Sequence, residues 1–167
     1  MAHSGGKSLL LSGGPYNAQT EVVDLGASYP DNISYEAYVR IDSQGSGAFV
    51  GFFEQVANQA PEINCIYFNG YDGKVYFYSA DQNTPVNVLL AQNFSLGIWN
   101  KVHADLNYQT LKANVYLNDV LVGGAVPMSS KSAAYSGSNF TLRKAGMMQY
   151  MGSGIYFDDF SVSSQPV

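Results

Sequence analysis

The chain has 167 residues, of which 46% are hydrophobic and 13% are charged, a balance too apolar for a disordered chain and sufficient for one hydrophobic core. Its formal net charge is −5 and its eight Lys and Arg residues are scattered singly, which argues against nucleic acid as a partner. No apolar run approaches the roughly 20 residues that a membrane span needs, so no membrane insertion is expected.

Alternation of apolar and polar residues, which is typical of half-buried strands, dominates the sequence. The predicted strands are, in chain order, residues 7–12, 18–25, 33–42, 48–54, 62–69, 74–80, 86–92, 100–107, 111–118, 120–125, 139–144 and 155–163. Turn-forming residues separate them, and Asp72-Gly73 between two aromatic runs is the clearest hairpin signal. Pro85 and Pro127 limit any helix to a short turn near 81–85 or 126–135. The sequence therefore predicts an all-β domain.

The two ends of the chain have the Gly-rich or Ser-rich composition of linkers. Residues 1–6 contain no apolar stretch after a basic one, so they do not form a signal peptide. We interpret them as a linker or a cloning remnant, and residues 164–167 as the start of another linker. A single domain is predicted over residues 7–163, tethered to other domains in a longer chain.

The alternation also assigns side chains to the two faces of each predicted strand. Apolar residues at the odd positions of 33–41 are predicted to face the core, together with Val75 and Phe77. The residues predicted to point outward and bind a ligand are Tyr38, Arg40, Tyr76, Tyr78, His103, Asn114 and Tyr116. A solvated sheet face usually carries small polar and charged residues, so tyrosines in these positions indicate a binding surface.

Several segments resemble a known superfamily. Residues 155–162, IYFDDFSV, are similar to the closing strand of laminin-G-like domains, MAM domains, carbohydrate-binding modules and laminarinase-type glycanases. Residues 99–103, WNKVH, followed by 111–118 and 120–122, are similar to a hairpin of laminin-G-like domains, and residues 7–13 resemble their first strand. This resemblance to the concanavalin A-like and laminin-G-like superfamily implies a two-sheet antiparallel jelly-roll β-sandwich.

The resemblance favours a non-catalytic carbohydrate-binding module of a secreted, extracellular multidomain protein. A polysaccharide or other glycan would bind through an aromatic sheet face or rim. Sugars have an apolar C–H face and a rim of hydroxyls, so a matching site needs a flat aromatic surface and hydrogen-bonding groups. Equally open is the alternative that loops cover these tyrosines and make them a second, minor core. A laminin-G-like adhesion or spacer domain is the second functional hypothesis, and an unrecognised jelly-roll glycanase or lyase is the third.

Catalytic motifs of related hydrolases and lyases are absent from the sequence. Laminarinase-type hydrolases carry an E-x-D-x-(x)-E run on one strand, whereas the glutamates here are isolated: Glu21, Glu36, Glu54 and Glu62. Alginate-lyase-type jelly rolls need a Gln-x-His motif, which does not occur. With His3 and His103 as the two histidines, neither a catalytic triad nor a His-rich metal site is supported. We therefore expect no enzymatic activity.

Asp158 is the candidate metal ligand. In an alternating strand it lies on the same side as Phe160 and Val162, which look like core residues, so its carboxylate is predicted to point inward. In the superfamily the equivalent Asp often helps to hold a structural Ca²⁺ against the N-terminal segment. Ca²⁺ takes six to eight oxygen ligands, and the sequence identifies one. One structural Ca²⁺ at Asp158 and a hydrogen-bonded Asp158 without metal are both left open.

Two residues that occur once in the sequence are predicted to be structural. Cys65 lies in an apolar run, where a small buried hydrophobe is favoured over a reactive thiol. Trp99 opens a predicted strand at a place where the resembling domains bury an aromatic residue, so we expect it in the core.

Overall fold

The computed structural model describes residues 8–11, 19–26, 28–54, 56 and 59–164. Within these residues the chain forms fourteen β-strands and no helix, so no helix there could span a membrane. The strands are β1 (Leu9–Leu11), β2 (Gln19–Asp24), β3 (Asn32–Ile41), β4 (Gly47–Phe53), β5 (Glu62–Asn69), β6 (Lys74–Ser79), β7 (Val86–Ala91), β8 (Trp99–Asn107), β9 (Lys112–Leu117), β10 (Val120–Pro127), β11 (Ser132–Tyr135), β12 (Ser138–Thr141), β13 (Lys144–Met151) and β14 (Ile155–Ser164).

Two six-stranded antiparallel sheets pack against each other. The first sheet has the strand order β1-β14-β3-β8-β9-β10, and the second has the order β2-β13-β4-β5-β6-β7. The short strands β11 and β12 pair separately. This arrangement confirms the predicted all-β, two-sheet antiparallel sandwich.

The core lies between the two sheets. Tyr35, Ala37 and Val39 of β3 are almost completely buried there, and Phe52 of β4 and Phe77 of β6 meet them from the second sheet. The predicted inward faces of β3 and β6 are thus confirmed. Removal of these apolar surfaces from water is the main stabilising contribution to the sandwich.

Two hairpins show why the turn residues occur where they do. The β5–β6 turn contains Gly73 with a φ of 72°, and its N–H donates to the carbonyl of Asn69. The β9–β10 turn is Asn118-Asp119, with φ angles of 51° and 64°. Two successive positive φ angles match the twist of an antiparallel hairpin. The hairpin predicted at Asp72-Gly73 is confirmed.

The strand β13 differs from the prediction of a strand at 139–144. The structure has β12 before residue 142 and a second, longer strand from 144 to 151. Because β13 lies between β2 and β4 in the second sheet and residues 145–149 are buried, its sequence lacks alternation. A side chain at Gly146 would meet the carbonyl oxygen of Glu21 at 2.0 Å, so the close approach of β2 requires glycine there.

The predictions for the chain ends are tested only in part. The linkers at 1–6 and 165–167, and residues 7 and 12 of the predicted first strand, lie outside the described residues. Ser164 belongs to β14 and not to the linker predicted to begin there.

The inward orientation predicted for Asp158 is wrong. Ile155 and Phe157 are fully buried in the core, so Asp158 points to the outer side of the first sheet, opposite Tyr38 of β3. The pairing of β14 with β3 shifts between Asp158 and Ser161, and Asp159 has a φ of 50°. The bulge shifts the alternation of side chains by one residue. Phe160 and Val162 therefore pack against the core, although Asp158, an even number of residues before them, points outward.

The predictions for Cys65 and Trp99 have different outcomes. Cys65 is fully buried and unbridged, as predicted, and burial raises the pKa of its thiol. The core position predicted for Trp99 is wrong. Asn100 and Val102 take the inward positions of β8, which leaves Trp99 half-buried on the outer side opposite Arg40.

Candidate functional site

The seven outward residues predicted from the sequence lie on two opposite faces of the sandwich. The outer face of the first sheet carries Tyr38, Arg40, His103, Asn114 and Tyr116, whereas the outer face of the second sheet carries Tyr76 and Tyr78. The structure therefore does not bring the seven together in one surface. Alternation along a strand tells which side chains point outward, but it does not tell which sheet the strand joins.

Polar side chains on the outer face of the first sheet bind one another. The Lys101 amine lies 3.2 Å from Glu36 and 2.8 Å from Asp119. The His103 imidazole lies between Glu36, at 3.4 Å, and Asp105, at 2.8 Å. Much of the hydrogen-bonding capacity of this face is thus used within the chain.

The other predicted residues of this face are also engaged. The Arg40 guanidinium lies 2.6 Å from Asp42, and the Asn114 side chain accepts the N–H of Ala125 at 2.9 Å. Tyr116 packs edge-on against His103, with 5.4 Å between the ring centroids. This edge-on contact is with a histidine ring, and no other aromatic ring packs against Tyr116 within the described residues.

The outer face of the second sheet has a different construction, with an apolar base. Phe49, Phe53, Cys65 and Met148 are each no more than 4% exposed and form a cluster separate from the main core. Tyr67 and Tyr78 pack on this cluster. The second sheet therefore has a small apolar cluster of its own beneath these tyrosines.

A row of large side chains crosses this face at right angles to the strands. Met148 of β13, Phe49 of β4, Tyr67 of β5, Tyr76 of β6 and Leu89 of β7 are direct cross-strand neighbours. Such neighbours are close enough for aromatic rings to contact one another. The register of five strands thus aligns apolar side chains that are far apart in sequence.

The aromatic rings above the base form a contiguous set. Phe49 and Tyr67 stack with centroids 4.2 Å apart and an interplanar angle of 8°, and Tyr76 continues the stack 6.2 Å from Tyr67. Tyr150 meets Phe49 edge-on at 5.6 Å, and Tyr78 lies 5.7 Å from Phe49. We call Tyr67, Tyr76, Tyr78 and Tyr150 the aromatic platform; Tyr150 is 40% exposed and the other three are partly buried.

Two glycines of β4 make room for this packing. A Cβ atom at Gly47 would lie 3.3 Å from the Tyr67 ring and 3.6 Å from the Tyr150 ring. A Cβ atom at Gly51 would lie 2.6 Å from the Cys65 sulfur. Larger residues at either position would push the base or the platform outward, so the sequence of β4 is adapted to its outer face as well as to the core.

The hydroxyl groups of the platform differ in their partners. Tyr76 donates to Asp72 at 2.6 Å, and this hydrogen bond raises the pKa of Tyr76. Burial raises the pKa of Tyr67 and of Tyr78. Nearby Tyr150 and Asp72 add to the effect on Tyr67, and Glu62 adds to the effect on Tyr78. Within the described part of the chain, the hydroxyls of Tyr67, Tyr78 and Tyr150 have no hydrogen-bond partner. These three hydroxyls can donate to a ligand.

A cavity of about 370 Å³ adjoins the platform at Tyr78. Tyr135, Gln82 and Asn87 contribute polar groups to its lining, and Asp81 lies at its base. Asp81 is fully buried and accepts hydrogen bonds from Asn83, Thr84 and Ala134, so its carboxylate is structural. The remaining polar groups leave one end of the platform suited to a hydroxyl-rich ligand.

Phe49, Tyr67 and Tyr150 were not predicted as site residues from the sequence. The signal for Phe49 is the uninterrupted apolar run of β4, which is typical of a strand buried on both faces. Alternation did not predict the outward position of Tyr67, because β5 contains a bulge. Asn64 has a φ of 51° there, and the pairing of β4 with β5 shifts. Tyr150 belongs to β13, which the sequence did not reveal.

The predicted calcium ligand, Asp158, lies at the bulge of β14. Asp158 accepts the N–H of Asp159 at 2.9 Å. Among the described residues, no group of three or more His, Cys, Asp or Glu side chains could hold a metal ion.

No protein-family model and no curated protein matches the sequence. A carbohydrate-binding module, CBM66 from Bacillus subtilis, superposes with a TM-score of 0.61 at 12% identity, over 90% of this chain and 97% of that one. A sialidase gives 0.61 at 11% identity, over 90% of this chain but 15% of its own. The galectin LEC-6 of Caenorhabditis elegans gives 0.53 at 9% identity, over 93% of this chain and 95% of its own.

The chain is a jelly-roll β-sandwich. At these identities the likeness concerns the fold alone, which agrees with the two-sheet jelly roll that the sequence resemblance implied. Proteins that share a jelly-roll fold can bind different ligands, so the function of this jelly roll has to be argued from its own side chains.

Proposed function

We propose that this chain is a non-catalytic carbohydrate-binding module that binds glycan on the aromatic platform. The observation that carries the proposal is the platform itself: four tyrosines in contiguous ring contact around Phe49 and Tyr67 on one sheet face. Three of their hydroxyls have no partner within the described residues. An aromatic surface with free hydrogen-bonding groups is complementary to a sugar, which has an apolar C–H face and a rim of hydroxyls.

The similar solved structures support this proposal. They include a carbohydrate-binding module and a galectin, each matched over nearly its whole length. The platform is favoured over the outer face of the first sheet because charged side chains there, such as Lys101 and His103, already bind carboxylates of the same chain. A ligand would have to break these contacts.

The arrangement of carboxylates on the platform side supports binding without hydrolysis. Retaining glycosidases place two carboxyl groups about 5 Å apart, and inverting enzymes place them less than about 10 Å apart. Glu62 begins β5 and Asp72 follows its end, so the length of the strand separates their backbones by roughly 20 Å. Asp72 is also occupied by Tyr76 and by the N–H of Lys74.

We also propose that the module belongs to a secreted, extracellular multidomain protein. The likeness to 15% of a much longer sialidase chain supports a setting in which such a sandwich accompanies other domains. Extracellular polysaccharides are the glycans that a module of this kind would meet there.

Binding to insoluble polysaccharides and to a glycan array tests the main proposal. We expect the wild-type protein to be retained by at least one glycan, and Tyr67→Ala to lose that retention. Tyr116→Ala, on the opposite face, is the matched control and should bind as the wild type does. Failure of the folded wild-type protein to bind any glycan would contradict the proposal and favour an adhesion or spacer domain.

A structural Ca²⁺ at Asp158 is a separate proposal, whose support is the resemblance of the closing strand. If it is right, EDTA should lower the melting temperature of the wild type and leave that of Asp158→Ala nearly unchanged. Glycan binding on the platform should survive EDTA in both proteins, since Asp158 lies on the other sheet. Equal sensitivity of the two proteins to EDTA would remove Asp158 from any metal site.

A further inference from the structure

Glu62 is the carboxylate at the edge of the platform. It begins β5 directly opposite Phe53, a residue of the apolar base, and its side chain is partly buried. Its own carbonyl oxygen accepts the N–H of Ala80 at 2.8 Å, which fixes the start of β5 beside the end of β6. Glu62 thus lies beside the end of β6, close enough to Tyr78 for its charge to act on that hydroxyl.

Glu62 lacks the partners that other buried carboxylates of this chain possess. Glu54 accepts the N–H groups of Arg143 and Lys144, and Asp81 accepts three donors. Within the described residues, no other residue donates a hydrogen bond to the Glu62 carboxylate and no cation forms an ion pair with it. Burial raises the pKa of Glu62. A partly desolvated carboxylate whose one donor is its own backbone N–H is costly to the folded chain.

Hydroxyl groups of a bound sugar would supply the missing donors. A carboxylate has two oxygens and four lone-pair positions, so two neighbouring hydroxyls can donate to it at once. A carboxylate or sulfate on the ligand would instead meet a like charge in a partly desolvated site, where repulsion is stronger than in water. Lys74 and Lys144 point outward at the ends of this sheet, and neither forms an ion pair with Glu62.

We propose that Glu62 makes the platform select uncharged, hydroxyl-rich glycans and reject glycans that carry carboxylates or sulfates. The inference rests on the proposed glycan binding and assigns the charge class of the ligand. Asp72, at the other end of β5, adds to the negative potential of the same face.

The test compares a neutral polysaccharide that the wild type binds with its C6-oxidised form, in which primary alcohols are converted to carboxylates. Affinity for soluble fragments of both is measured by calorimetry. For the wild type we expect binding at least tenfold weaker to the oxidised form. Glu62→Gln should bind the neutral form at least fivefold more weakly than the wild type and reduce the discrimination to less than threefold.

The matched control is Glu36→Gln, which removes the same charge from the opposite face. It should keep the wild-type affinity and the wild-type discrimination, because the effect is local. Glu62→Gln should fold with an unchanged or higher melting temperature, since it relieves the cost of a buried charge.

The outcomes separate the two proposals. Wild-type discrimination in Glu62→Gln, or equal loss of discrimination in Glu36→Gln, would overturn the role of Glu62. If at the same time Tyr67→Ala had lost binding to the neutral form, glycan binding on the platform would stand. If the wild type bound neither form of any glycan tested, both proposals would fail.

Discussion

Tyr67, Tyr76 and Phe49 stack on one another but are buried to different degrees. Phe49 lies in the apolar base, so Phe49→Ala should destabilise the fold by about 3–5 kcal/mol. Tyr76 is more exposed, and Tyr76→Ala should cost no more than roughly 1 kcal/mol of folding free energy. If Tyr76 stacks on a sugar, the same change should weaken binding about tenfold, or roughly 1.4 kcal/mol.

Denaturant unfolding and calorimetric titration of the same variants measure both quantities. Tyr78→Ala should resemble Tyr76→Ala in binding but destabilise more, because Tyr78 packs on the base. Tyr116→Ala is the control from the opposite face and should not change the affinity. Destabilised Tyr76→Ala and Tyr78→Ala proteins with unchanged glycan binding would mean that these tyrosines are only a minor core.

Asp81 supports the loop that borders the platform. Burial raises the pKa of Asp81, but hydrogen bonds from Thr84, Ala134 and Asn83 outweigh it and hold the folded pKa below its ordinary value of 3.8. Its contribution to stability is therefore present above about pH 4 and is lost as the pH falls through the folded pKa. Asp81→Asn places an amide N–H₂ among donors and should destabilise by about 1–3 kcal/mol at neutral pH.

Urea unfolding from pH 7 to pH 3 checks this prediction. The difference in unfolding free energy between the wild type and Asp81→Asn should shrink below about pH 4. Asp119→Asn is the control, because Asp119 is 77% exposed in its side chain and Asn tolerates its positive φ. A difference that is constant with pH would show that the Asp81 charge does not stabilise the fold.

At the level of single elements, β13 depends on Glu54. The buried Glu54 carboxylate accepts the N–H groups of Arg143 and Lys144, where β13 begins. Glu54→Ala leaves both donors unsatisfied and should cost about 1–3 kcal/mol of folding free energy. Because β13 carries Tyr150 to the platform, glycan affinity should fall as well.

Thermal melts and glycan titration of Glu54→Ala and Glu54→Gln provide the measurement. Glu54→Gln keeps a carbonyl oxygen as acceptor and should be milder in both respects. If Glu54→Ala were as stable as the wild type, the anchoring of β13 through Glu54 would be excluded.

The strands also show how far the sequence predicts this structure. Alternation identified the inward faces of β3 and β6 because each has one face on the core and one outside. It did not identify β13, which is apolar on both faces, and it assigned the wrong side to Asp158 because a bulge precedes Phe160. Bulges depend on local backbone geometry and leave only a weak trace in the sequence.

The site was harder to predict than the strands. Tyr76 and Tyr78 were recognised because β6 alternates, but their partners come from β4, β5 and β13. Their meeting is set by the order of strands in the second sheet, a nonlocal property. For the same reason Tyr116 was grouped with residues that lie on the opposite face.

Considered as a whole, the molecule has two unlike outer faces. The first sheet presents charged side chains that pair within the chain, whereas the second presents stacked tyrosines over a buried apolar base. The core between the sheets contains most of the large buried side chains, and the second sheet adds a separate apolar cluster on its outer face. The asymmetry is the reason for assigning ligand binding to the second sheet.

Chemical-shift mapping by NMR tests this assignment most directly. A soluble fragment of the glycan retained in the binding assay is titrated into ¹⁵N-labelled protein, and the backbone amide shifts are followed. We expect the perturbed amides to cluster on β4, β5, β6 and β13, around Tyr67, Tyr76, Tyr78 and Tyr150, while those around His103 and Tyr116 stay unchanged. Perturbations concentrated on β3, β8 and β9 would contradict the assignment of binding to the second sheet.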